Sequence, residues 1–151
     1  MIDNIGVLLE LGEVPLSIQA RKTAIKNWVR IANHTKCNEL AIISYENAIE
    51  NKLIWPEKIR QTLAEIGMFG DFLSKNLTTH TLAFQRMTDI FHQNSFSEIG
   101  KDSSKLRTYS KIKTKIGYEK YLTQIQNTNT RISFTKFRLS SHHLMIETGR
   151  H

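Results

Sequence analysis

Histidine and carboxylate side chains near the C-terminus are the first grouping that could do chemistry. His142, His143, Glu147 and His151 lie close together, and in a helix His143 and Glu147 would share one face, as two metal ligands do. Gly149 interrupts such a helix, the pattern HExxH is absent, and the sequence identifies neither a third ligand nor its supporting hydrogen-bond partner. We therefore predict that the chain holds no metal.

The chain contains no motif for nucleophilic or cofactor chemistry. Cys37 is the single thiol, and although it follows a lysine and precedes a predicted helix, a free cysteine is most often a small core residue. The nucleophile pattern GxSxG and the phosphate-binding patterns GxGxxG and GxxxxGKS/T are all absent. We predict that the protein is not an enzyme and has no catalytic residue and no cofactor.

Cysteine content and hydropathy indicate the compartment. One thiol cannot form an intramolecular disulfide, and this is typical of reducing, intracellular compartments. No segment approaches the ~20 apolar residues of a transmembrane helix, and the N-terminus lacks the basic and apolar regions of a signal peptide. We expect an intracellular protein that does not enter a membrane, and the sequence does not distinguish nucleus from cytoplasm.

Charge is distributed unevenly along the 151 residues, whose net charge is +7. Residues 1–100 carry ten Lys and Arg against eleven Asp and Glu, whereas residues 101–151 carry eleven against three. Such a positive segment is typical of contact with a polyanion, most often nucleic acid. The alternative is a solvated basic face that only keeps the protein in solution.

Three cations of this segment, Arg107, Lys111 and Lys115, repeat every four residues, so that one face of a helix would present them all to phosphate groups. Flanking candidates for the same contact are Lys113, Arg131 and Arg138. Nearby aromatic rings could stack on unpaired bases: Tyr109, Tyr118, Tyr121, Phe134 and Phe137. Of these we expect Tyr109 and Phe137 to lie in the core. The basic side chains therefore carry most of the hypothesis.

Helices must position these residues, because apolar side chains recur at helical spacing through most of the chain. Ile25, Trp28, Val29 and Ala32 form one stripe of a helix that starts after Pro15. No repeat and no long linker divides the sequence. We therefore expect one helical domain over residues 1–151, with a near-neutral part up to residue 100 and a basic part beyond it.

Capping residues predict where several helices begin and end. Gly12 is expected to end a first helix, Asn38 to cap a third, and Pro56 to lie in the first turn of a fourth. A long helix is predicted from about Thr79 to near Gly100, since this segment contains no other glycine and no proline.

A further helix is predicted over residues 103–116, where an apolar and a basic stripe run side by side. Residues 132–139 fit both a strand and a helix, and we favour a short helix. The expected fold is all-α, an irregular bundle of six to eight helices.

The C-terminal part resembles a known family. The residues that carry the resemblance are Leu106-Arg107-Thr108-Tyr109, Lys113, Glu119, Tyr121-Leu122, Thr135-Lys136-Phe137-Arg138-Leu139-Ser140, His142, Leu144, Ile146-Glu147 and Gly149-Arg150. They resemble the region that follows the polymerase in reverse-transcriptase proteins of non-LTR retrotransposons. Leu11-Gly12, Pro15-Leu16 and Trp28 look like the beginning of that region, so the resemblance covers nearly the whole chain.

The resemblance implies a nucleic-acid neighbourhood and no catalytic activity. In such proteins this region runs on into a cysteine-rich, zinc-knuckle-like segment, and here the sequence stops at His151 without those cysteines. It also lacks the polymerase region and its catalytic aspartates, so we expect a truncated accessory fragment. Three functions stay open: weak binding of RNA or DNA with low sequence specificity, a helical protein-interaction module whose partner the sequence does not identify, and a small enzyme of unrecognised type.

Overall fold

A computed structural model describes residues 4–76, 78–101 and 104–140. The helices in these ranges are α1 (Asn4–Leu11), α2 (Leu16–Ala32), α3 (Glu39–Glu50), α4 (Ile54–Glu65), α5 (Phe69–Ser74), α6 (Thr79–Ile99), α7 (Arg107–Ile112), α8 (Tyr121–Gln124) and α9 (Thr128–Arg138). The described residues contain no strand. The all-α class is confirmed, with nine helices in the described ranges where six to eight were expected, because α5, α7 and α8 are very short.

The chain divides into two compact units. We call Pro15–Ile90 the central unit, and Met1–Val14 together with Phe91–His151 the terminal unit. Helix α6 contributes its residues up to 90 to the central unit and the rest to the terminal unit. The charge-based division at residue 100 does not coincide with either boundary. A single domain stays a prediction.

The core of the central unit forms around the apolar stripe of α2. Ile25, Trp28, Val29 and Ala32 are all buried there, as their spacing predicts. They pack with apolar residues of α3, α4 and α6 and of the α4–α5 connection: Tyr45, Ile59, Leu63, Ile66, Met68, Ala83 and Met87. Burying such a stripe is the main source of stability for these helices.

Aromatic contacts centre on Trp28. Its indole Nε1–H donates to the hydroxyl of Tyr45 over 3.1 Å, and its ring stacks on Phe72 with centroids 5.2 Å apart. A buried indole N–H needs such an acceptor. Trp28 therefore links α2 to both α3 and α5 within the central unit.

The predicted capping residues occupy the expected positions. The Asn38 side chain accepts a hydrogen bond from the amide of Ala41 at the start of α3, and Pro56 lies in the first turn of α4. Gly12 ends α1 with a positive φ of 66°, a conformation that glycine adopts without strain.

The terminal unit has a separate apolar core, formed by Leu9, Ile99, Leu106, Tyr109 and Leu139. These residues come from both ends of the sequence. The short helix predicted over 132–139 is confirmed and is longer than expected, because the Asn127 side chain accepts from the amide of Thr130 and starts α9 earlier.

The helix predicted over 103–116 is wrong in its length. In the structure α7 ends at Ile112, and Lys113 adopts an extended backbone conformation with φ −88° and ψ 92°. This turn directs the Lys113 side chain into the interior, where it is 2% exposed. There its ammonium group pairs with the partly buried carboxylate of Glu119.

No helix of the described ranges is long and apolar enough to cross a membrane.

Truncation of Leu63, which is fully buried, tests the core of the central unit. We expect Leu63→Ala to lower the free energy of unfolding by about 2–5 kcal/mol, since it removes buried surface and leaves a cavity. Leu40→Ala is the matched control, because Leu40 is 71% exposed. Urea unfolding followed by tryptophan fluorescence measures both, since Trp28 and Trp55 both lie in this unit. Equal losses in the two variants would show that Leu63 is not a core residue.

Candidate nucleic-acid interface

An ion pair joins the two ends of the chain inside the terminal unit. Nε of Arg138 donates to Oε1 of Glu10 over 2.9 Å, although the two residues are 128 positions apart in sequence. Glu10 is 2% and Arg138 9% exposed. A buried carboxylate needs such a partner, because transfer of an unpaired charge out of water is strongly unfavourable.

A second ion pair extends this cluster. Nζ of Lys113 donates to Oε1 of Glu119 over 2.6 Å and to the carbonyl of Gly117 over 2.7 Å. Nη2 of Arg138 lies 3.3 Å from Oε2 of Glu119. The buried network thus contains two carboxylates and two cations, Glu10, Glu119, Lys113 and Arg138, and its formal charge is zero.

Backbone contacts hold the same segments together. The amide of Glu119 donates to the carbonyl of Glu10 over 3.0 Å, beside the turn at Gly12. A Cβ atom at Gly12 would lie 2.6 Å from the amide nitrogen of Tyr118. Only glycine fits this approach, which fixes the end of α1 against residues 117–119.

Two tyrosines enclose the network. The ring centroids of Tyr109 and Tyr121 lie 5.8 and 5.3 Å from the Arg138 guanidinium. Burial and the neighbouring Glu10 carboxylate raise the pKa of Tyr109 well above its usual range. Burial raises the pKa of Tyr121 to about 12, and its hydroxyl forms a 2.9 Å hydrogen bond with that of Thr135.

The network engages two of the six cations predicted to contact nucleic acid, Lys113 and Arg138. A third, Arg131, points its Nη1 at the carbonyls of Leu122 and Ile125, 3.5 and 3.3 Å away, near the end of α8. These three side chains have roles within the protein. Contact of these three side chains with nucleic acid stays a prediction.

The remaining three predicted cations do not share one helix face. Arg107 is the first residue of α7 and is partly buried, and Lys111 lies in its last turn and is exposed. Lys115 lies beyond the helix and is exposed. The expected row of three cations on one face is therefore wrong, because α7 ends before Lys115.

Exposed lysines are nevertheless frequent in this part of the chain. Besides Lys111 and Lys115, they are Lys105, Lys120 and Lys136. Residues 104–140 contain nine Lys and Arg and one acidic residue, Glu119, whose carboxylate is taken by the buried network. In the described structure none of the five exposed lysines has an ion-pair or hydrogen-bond partner for its ammonium group.

Exposed aromatic rings lie in the same residues. Tyr109 is buried, as expected, whereas Phe137 is 53% exposed, because the two residues that follow it, Arg138 and Leu139, occupy the buried side. Tyr118 is also exposed, and Phe134 packs edge-on against Tyr121 with centroids 4.8 Å apart.

Sequence reasoning missed the acidic partners Glu10 and Glu119. One signal could have found Glu10, since it is the single charged residue of the otherwise apolar helix α1. Such a residue on a buried helix requires a cation. No pattern in the sequence identifies Arg138 as that cation, because the pair depends on the tertiary fold.

Metal ligands do not converge in residues 4–76, 78–101 and 104–140, where no three His, Cys, Asp or Glu side chains are placed to hold an ion. The grouping of His142, His143, Glu147 and His151 lies outside the described residues.

Removal of one member of the buried network should be strongly destabilising. We expect Arg138→Met to lower the free energy of unfolding by about 3–5 kcal/mol, because it leaves the Glu10 carboxylate buried without its cation. The double variant Glu10→Leu/Arg138→Met should lose less than the sum of the single variants. Lys101→Met is the control, because its pair with Glu98 is solvent-exposed and is expected to contribute below about 1 kcal/mol. Additive losses in a denaturant-unfolding cycle would contradict the pairing.

Alkaline pH should weaken the terminal unit through Tyr121. Its folded pKa of about 12 lies above the unfolded value of about 10, so the folded state keeps a proton that the unfolded state releases. This contribution to stability is complete below about pH 10 and is lost as the pH rises towards about 12. Tyr121→Phe should therefore lose less stability than wild type between about pH 10 and pH 12 in urea unfolding. Parallel pH dependence in both proteins would contradict the assignment.

Comparison of the chain with protein-family models, with curated proteins and with solved structures finds no match. Its function therefore has to be argued from the side chains described above.

Proposed function

We propose that the protein is a non-catalytic helical accessory protein that binds RNA or DNA weakly, through phosphate contacts made by the exposed lysines of residues 104–140. The observation that carries the proposal is the separation of charge in this segment. Its single carboxylate lies in the buried network, and five lysines lie at the surface without a partner in the described structure. Lys111 and Lys115 are the first contacts that we assign, followed by Lys105, Lys120 and Lys136.

Phosphate contact by lysine releases condensed counterions, so affinity falls steeply with salt and depends little on sequence. Exposed aromatic rings at Tyr118 and Phe137 add surfaces on which unpaired bases can stack, which favours single strands. The proposed binding does not include hydrogen bonds to base edges, so it has little sequence specificity.

The resemblance to the post-polymerase region of non-LTR retrotransposon proteins supports the same function. We propose that the chain is an accessory fragment of such a protein, whose nucleic-acid partner would be the element's own RNA or DNA.

A protein-interaction module is the second candidate. It is favoured by apolar side chains at the surface of the central unit, since Leu16, Leu40 and Ile54 are each at least 71% exposed. Only a contiguous exposed apolar surface is typical of protein contacts, so this candidate requires that some of these side chains lie together.

Charge reversal at Lys111 and Lys115 tests the proposed function. We expect the full chain to bind a fluorescein-labelled oligo-dT at about 50 mM salt, with a log–log salt slope of about −3 for about four contacts to a single strand. Lys111→Glu/Lys115→Glu should weaken binding and make the slope shallower by about one to two, because two phosphate contacts are lost. Fluorescence anisotropy over a salt series measures both quantities.

Lys36→Glu/Lys58→Glu is the matched control, because it makes the same change in net charge at exposed lysines of the central unit. An equal loss in this variant would show that net charge, and no particular surface, attracts the oligonucleotide. Absence of binding in the wild type at low salt would leave the protein-interaction module as the function.

A further inference from the structure

The central unit contains an apolar groove between α3, α4 and α5, with a volume of about 540 Å³. Tyr45, Ala48 and Phe72 contribute to its walls, and Leu53 and Leu73 line it while 53% and 66% exposed. Pockets of 300–1,000 Å³ that are mostly apolar and carry a few charged groups are typical of small-molecule sites.

The charge of the groove is positive. Lys52 and Lys75 both line it, and in the described part of the chain neither ammonium group has a hydrogen-bond or ion-pair partner. Glu57 also lines the groove, but its carboxylate already accepts hydrogen bonds from Arg60 and Gln61. The two lysines are therefore the groups whose charge is free to meet a ligand.

Both lysines lie just after a helix. Lys52 follows α3 with φ 50°, and Lys75 follows α5 with φ 53°. Lys36 has the same backbone conformation with φ 48° and does not line the groove. What distinguishes Lys52 and Lys75 is therefore their place on the groove walls.

The volume of the groove, about 540 Å³, lies in the range of small-molecule sites, and its free charges are the two lysine ammonium groups. A single small molecule with an apolar body and an anionic group matches both properties.

We propose that the groove binds a small amphipathic anion, with an acyl or aromatic body against Tyr45, Phe72 and Leu73 and a carboxylate paired with Lys52 and Lys75. This site is independent of the nucleic-acid surface proposed above, since its residues all lie in the central unit.

Titration of the full chain with sodium dodecanoate and with dodecyltrimethylammonium, both below their micelle concentrations, tests the site. We expect dodecanoate to bind one-to-one and to change the fluorescence of Trp28, which stacks on Phe72. Shortening the acid to decanoate should weaken binding by about 15-fold, since two methylenes leave the groove. The ammonium compound, with the same chain, should bind much more weakly.

Lys52→Glu/Lys75→Glu should weaken dodecanoate binding by about tenfold and reverse the preference between the two headgroups. Lys36→Glu/Lys58→Glu is again the matched control and should bind dodecanoate as wild type does. Leu73→Asp, at an exposed position on the groove wall, should weaken binding of both compounds. Circular dichroism checks that each variant keeps its helix content.

Equal binding of the two headgroups, or unchanged dodecanoate binding in the Lys52 and Lys75 variant, would overturn the proposal. Saturation at several molecules per chain would also overturn it, because it would show general adsorption to exposed apolar surface. Concentration-dependent self-association that dodecanoate does not reverse, and that Leu73→Asp abolishes, would assign the groove to a second copy of the chain instead.

Discussion

The need to neutralise one buried carboxylate determines much of the terminal unit. Glu10 is almost completely buried, and its charge is met by Arg138 from the other end of the sequence. An ion pair of this kind gains little net free energy, because desolvation of both groups offsets their attraction. Loss of either partner is nevertheless very unfavourable, so the pair selects one arrangement of α1 and α9. The adjoining pair of Lys113 with Glu119 extends the same constraint to residues 113–119.

Pairing of Glu10 with Arg138 also changes how the excess of Lys and Arg after residue 100 is interpreted. By sequence, the excess of cations lies after residue 100, but the terminal unit has eleven Lys and Arg against seven acids, and the central unit ten against seven. The uneven distribution along the chain therefore largely disappears between the units. The charged side chains of the terminal unit differ in burial. Glu10 and Glu119 form ion pairs with Arg138 and Lys113, so these four charges neutralise one another. The exposed lysines of residues 104–140 therefore face solvent, and the one carboxylate in these residues is already paired.

Local signals in the sequence were sufficient to predict most helices, but they could not predict the ion-pair network of the terminal unit. The stripe of Trp28 and Val29 and the cap at Asn38 act within a few residues, so the α2 core and the start of α3 could be predicted. The end of α7 could not, because Lys113 leaves the helix to reach a carboxylate that only the fold brings near. Phe137 was expected in the core, but it is exposed. The spacing of apolar residues shows that α9 has an apolar face, whereas the ion pair of Arg138 determines which face of the helix is buried. The amphipathic pattern of α9 alone fits both orientations.

Two residues that contact the buried Trp28 also line the groove of the central unit. Phe72 stacks on the buried Trp28 and also lines the groove, and Tyr45 accepts the indole hydrogen bond of Trp28 and lines it as well. The two aromatic side chains that hold the core tryptophan are thus also walls of the groove. Because rings packed in this way have little freedom to move, the groove keeps its shape without a ligand. A ligand of the kind proposed for the groove would therefore lose less free energy to reorganisation of these two rings.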